Sequence, residues 1–211
     1  MKKAFTLSEV LLALAIVGVL ATMVIPTVMN NMQKKILTSQ LKNSYQAIQD
    51  LAQEQIARSP SKNLKDSEFA TGIINSNNFD ISYNCSASKK CWADNYKTLN
   101  SESVSISQDG AKLKNGAAIK YIVEENPQDA PFNNNNKEFY IGTFYIDVNG
   151  AEKPNILGLD LYAFRVTDKG RLGDNSANTK TKEELLTACQ NAETNTACTT
   201  YLETNGWNMD Y

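Results

Sequence analysis

Chemistry in this chain would have to come from thiols, carboxylates and amines, because the 211 residues contain no histidine. That removes the commonest general base and the commonest catalytic metal ligand. The four cysteines form two close sets, Cys85 with Cys91 and Cys189 with Cys198. Their spacing is wider than that of a zinc knuckle, which disfavours zinc. Three connectivities are open to four cysteines, and local pairing within each set is the expectation adopted here. Such disulfides fit an oxidising, extracytoplasmic compartment. Among the oxygen donors, Asp147, Asn149, Glu152, Asp160 and Asp168 stand near turns. Asp147, Asn149 and Asp160 are candidates for calcium, which takes carboxylate and carbonyl oxygens from loops. Their spacing fits no EF-hand, and solvated turn residues are the expected reading. No phosphate-cradling loop, nucleophile elbow or catalytic carboxylate pair stands out, so the sequence points away from an enzyme. Lys112, Lys114 and Lys120 lie near Tyr121, but a formal net charge of −2 argues against DNA as a partner.

The most informative carboxylate is Glu9. It lies early in the apolar run Phe5–Ile25, behind Lys2 and Lys3. As a helix that run would be about 32 Å long, enough for a bilayer core of roughly 30 Å. The leading lysines predict a cytoplasmic start. A carboxylate inside such a helix costs a few kcal/mol unless it is partnered. No basic residue follows Glu9 within the next turns, so its partner must come from the chain's own start or from another subunit. A cut before Phe5 would create a positive amine close by. An ordinary secretory signal fits less well, since Ala13-Leu14-Ala15 sits inside the apolar run rather than after it.

The run Lys2-Lys3-Ala4-Phe5-Thr6-Leu7-Ser8-Glu9, continued by Val10 to Ala21, closely resembles the cleavage and methylation signal of type IV pilins and type II secretion pseudopilins. The resemblance implies cleavage by a prepilin peptidase between Ala4 and Phe5 and N-methylation of Phe5. It also implies that Glu9 docks onto a neighbouring subunit's N-terminal amine and that Pro26 takes the helix-kink position. Ala4 departs from the family's usual glycine before the cut. The implied function is a pilin, minor pilin or pseudopilin that polymerises through its N-terminal helix. The implied partners are copies of itself, other pilins or pseudopilins, the peptidase, an inner-membrane assembly platform and the lipid bilayer. The implied location is an inner-membrane single-pass precursor that ends in a periplasmic or cell-surface filament. The competing expectation is a membrane-anchored binding or adhesion module that never polymerises. Some pseudopilins carry calcium in a C-terminal loop, which is why the Asp147–Asp160 candidates are kept.

These residues require elements to hold them. The expected organisation is a leader at 1–4, a membrane-spanning segment at 5–29, an amphipathic helix at 30–58 and a headgroup at 59–211. Past Pro26, where a kink or local unwinding is expected, Leu37, Leu41, Tyr45, Ile48, Leu51 and Ile56 form one apolar stripe. The Ser59-Pro60-Ser61 cluster predicts the helix end near Arg58. Residues 64–99 read as a connecting region, in which Tyr83 and Trp92 pack across the first cysteine loop or join a core. Alternation predicts strands at 103–107, 117–123, 139–148 and 161–166, with a solvated loop at Asn133–Asn136 and a hairpin-type turn at Asn149-Gly150. Thr181 is the expected cap of a short helix over 182–190. The fold class expected is α+β, a long N-terminal helix packed on an antiparallel sheet in the manner of a type IV pilin. The string from Ile146 to Phe164 is similar to a segment of many pilin-like headgroups.

Overall fold

The computed structural model describes residues 6–130 and 137–211. The Ala4–Phe5 junction and the Asn133–Asn136 run lie outside the described residues. The chain divides into two compact units, Met1–Ile36 and Leu37–Tyr211. Helix α1, Leu7–Arg58, supplies most of the first unit and opens the second. Its helical backbone continues across Pro26, so the local unwinding expected there is absent. It stops at Arg58, before Ser59-Pro60, because proline disfavours helical geometry in the residue ahead of it.

In the first unit the large apolar side chains face outward, with Leu7 81% and Leu12 64% exposed. The expectation of a membrane-spanning segment is corrected here. Among the described residues no helix is long and apolar enough to cross a membrane. The apolar run carries Ser8, Glu9 and Thr22 within it, and it gives way to Asn30, Asn31, Gln33, Lys34 and Lys35. With that segment go the readings built on it: the inner-membrane single-pass precursor, the filament polymerised through a membrane helix, and the membrane-anchored binding module.

The second unit is α+β. Its five-stranded sheet has the order β1-β4-β5-β6-β7, formed by Ile81–Asn84, Ala111–Leu113, Ala118–Asp129, Phe139–Asp147 and Leu161–Thr167. Every pairing is antiparallel. Strands β2, Tyr96–Lys97, and β3, Ser103–Val104, form a separate pair, so the strand expected at 103–107 is reduced to two residues. Helices α2, Lys182–Gln190, and α3, Ala197–Thr204, follow the sheet.

Side chains alternate between the faces of a strand, and both faces of this sheet are covered. On one, Ile119, Phe144, Ile146 and Phe164 pack with Leu37, Leu41, Ile48 and Leu51 of α1 and with Tyr201 and Leu202 of α3. Tyr45 and Ile56 of the predicted stripe pack against this core while only partly buried. On the other face, Ala118 and Leu161 join Cys91, Trp92, Tyr96 and Leu157, with Tyr83 at the margin. The open alternatives for Tyr83 and Trp92 thus coincide: they flank the first cysteine loop and they belong to a core.

Candidate functional site

The N-terminal signal begins its described part at Thr6. Glu9 Oε2 accepts hydrogen bonds from the Thr6 backbone N–H at 2.8 Å and from Thr6 Oγ1 at 2.8 Å, while the Glu9 N–H donates to Thr6 Oγ1 at 3.3 Å. This is a reciprocal capping box, in which a threonine and the glutamate three residues on satisfy two of the free N–H groups at a helix start. The partner of Glu9 in the described chain is therefore a hydroxyl and an amide rather than a cation. The spacing Thr6-x-x-Glu9 is the sequence signature of this cap. The geometry fixes the glutamate to the first turn, three residues from where the described chain starts. Residues 1–25 match the family described as the prokaryotic N-terminal methylation motif.

This is a type IV pilin-like signal sequence. The match covers the start of the chain and leaves the headgroup outside it. No curated protein matches the chain, and no solved structure does.

Beyond the pilin-like signal, the structure pairs Cys85 with Cys91 and Cys189 with Cys198. The first loop sits at the margin of the minor core, where Trp92 donates its indole N–H to the Asp109 carbonyl at 2.8 Å. The second joins α2 to α3 with both cysteines buried.

The acidic candidates do not gather at one centre. Asp168 ties the end of α1 to β6: it accepts from Asn63 at 3.0 Å and from the Phe139 N–H at 3.0 Å. Asp147 and Asp160 are both fully buried. Asp147 accepts from the Tyr96 hydroxyl at 2.5 Å and from the Asn149 N–H at 3.2 Å. Asp160 accepts from the Asn155 and Ile156 N–H groups at 2.6 and 2.7 Å. Each carboxylate thus clamps one end of the connection between β6 and β7. That connection spans 148–160, and the turn expected at Asn149-Gly150 opens it. Burial, partly offset by the Tyr96 hydrogen bond and reinforced by the charge of Asp160, pushes the Asp147 carboxyl up to about 8. Burial also raises Asp160. Among the described residues no group of three or more histidine, cysteine or acidic side chains could hold a metal ion.

Two of the three lysines near Tyr121 are also committed. Lys114 pairs with Asp80 at 2.6 Å, and Lys120 pairs with Asp109 at 2.6 Å and donates to Ser107. Tyr96 escaped the sequence reading, since its partner Asp147 is far along the chain and nothing local marks it.

Proposed function

We propose that this chain is the precursor of a pilin-like structural protein, cut by a prepilin-type peptidase between Ala4 and Phe5 and N-methylated on Phe5. The observation that carries the reading is the methylation motif over residues 1–25. The cut frees a secondary-structure-ready start: Phe5 becomes the terminal residue, and Thr6 with Glu9 already caps the helix behind it. Only one Glu9 oxygen, Oε2, is engaged by Thr6. In this reading the freed Phe5 amine is a second partner for the Glu9 carboxylate, beside the Thr6 cap. The peptidase is the first partner in this reading, and other pilin-like chains follow. The disulfide-stapled unit beyond residue 36 is what processing delivers.

The test is mass spectrometry of the chain co-expressed with a prepilin-type peptidase. The expected product begins at N-methylated Phe5. A chain that keeps Met1 to Ala4 under those conditions, or is cut elsewhere, contradicts the reading.

A further inference from the structure

A half-buried acid stands apart from these sites. Glu203 lies in the last turn of α3, with its carboxyl turned inward beside the Tyr45 hydroxyl of α1. Its Oε1 is buried and without a hydrogen-bond partner. Its Oε2 rests against Gly173, where a Cβ would come within 2.9 Å, and Gly173 itself has φ +110°. A side chain at Gly173 would be strained and would displace the carboxyl. The charged group facing Glu203 is another acid, Asp174, whose own oxygens accept from the Ser176 N–H at 2.9 Å and the Thr196 hydroxyl at 3.2 Å. Tyr45 also packs edge-on against Trp207, with ring centroids 5.1 Å apart, and against Phe164 at 5.2 Å. The Trp207 N–H returns to the Leu202 carbonyl at 2.7 Å. One carboxyl is thus wedged where α1, the Gly173–Asp174 turn and the C-terminal end of α3 meet.

We propose that Glu203 is a protonation-controlled latch, holding the end of α3 and the Trp207 turn against α1 while neutral and loosening them when it ionises. A neutral carboxyl fits a pocket that leaves one oxygen unpartnered. An anion there keeps an unsatisfied buried oxygen beside Asp174, a costly arrangement. Burial, with the Asp174 charge and against the Tyr45 hydrogen bond, moves this carboxyl up to about 7. In the opened state it returns towards the ordinary glutamate value of about 4.3. Between those values the closed state binds the extra proton, so closure weakens as pH rises and levels off above the closed-state value.

Hydrogen exchange at the Trp207 N–H of the full chain reads the latch directly. After correction for intrinsic exchange, protection is expected to fall by up to about tenfold per pH unit between pH 5 and 7 and then flatten. Glu203→Gln is expected to remove the slope. A flat wild-type profile, or a slope that survives in Glu203→Gln, overturns the latch; a slope lost only in Asp147→Asn does so too. Where Glu203→Gln fails to fold, the wild-type Glu203 carboxyl is titrated by carbon NMR. A midpoint near 7 that tracks the Trp207 signals supports the latch, and a midpoint in the ordinary glutamate range sinks it.

Discussion

The two units of this chain use apolar residues in opposite ways. In Met1–Ile36 the leucines and valines of α1 are turned outward, and the polar contacts of Thr6, Ser8, Glu9 and Thr22 reach no more than three residues along the chain. In Leu37–Tyr211 the same residue types are buried, and contacts such as Tyr96 to Asp147 join residues 51 apart. The first unit carries its signature locally, in the methylation motif over residues 1–25. The second is built as a tertiary object whose meaning lies in which distant residues meet. The two units should therefore fail independently, since the Thr6–Glu9 cap stays within the first turn and the packed core begins at Leu37.

That independence can be broken in either direction. The largest effect is expected from Ala4→Leu, since a small residue precedes the cut in the resemblance above. Uncut precursor should accumulate at least about tenfold, a loss of about 1.4 kcal/mol or more in transition-state stabilisation, while the melting temperature of the second unit stays unchanged. Quantitative mass spectrometry beside calorimetry checks both halves.

Replacing Cys189 and Cys198 by serine should act the other way. Both sulfurs are buried between α2 and α3, so a loss of about 2–4 kcal/mol in denaturant unfolding is expected, with cleavage before Phe5 unaffected. The Cys85 and Cys91 pair should cost less, because Cys85 is only partly buried and the loop lies at the margin of the minor core. An equal loss from both pairs would show that burial of the bridge does not set its contribution.

A pH series sharpens the contrast further. Asp147, near 8 when folded, and Glu203, near 7, hold their protons in the native state at pH values where the unfolded chain has lost them. Their stabilising effect is complete below about pH 4 and declines as pH rises towards 7 and 8. The slope per proton is at most about 1.4 kcal/mol per pH unit. Unfolding free energies that rise over that range would contradict the assignment.

The smallest effect belongs to Thr181→Ala. Thr181 and Glu184 form a capping box at α2, with the Thr181 N–H donating to Glu184 at 2.7 Å. Its loss should cost about 1 kcal/mol, measurable by the same unfolding curves.

Much of this architecture could be read from the chain, and the pattern of success has a physical basis. The end of α1, strands β5 to β7 and helix α2 are marked by local features: Ser59-Pro60, period-two alternation and Thr181 before Glu184. Helix α3 was missed because it is short and its threonines and cysteine carry no clear helical period. The 148–160 connection follows from the strand bounds, but its anchoring by buried Asp147 and Asp160 does not, because those contacts have no local sequence mark. The membrane segment is overread when the length of the apolar run is given more weight than Thr6, Ser8, Glu9 and Thr22 within it. Glu9 stands in the first helical turn as expected, and its Thr6-x-x-Glu9 spacing adds a capping role that its charge alone does not suggest.

The most direct test is the identity of the mature N-terminus. The chain is co-expressed with a prepilin-type peptidase, digested, and its first peptide sequenced by mass spectrometry. The account predicts N-methylated Phe5 followed by Thr6, with Met1 to Ala4 absent. An intact Met1–Ala4 leader in the presence of active peptidase would contradict it.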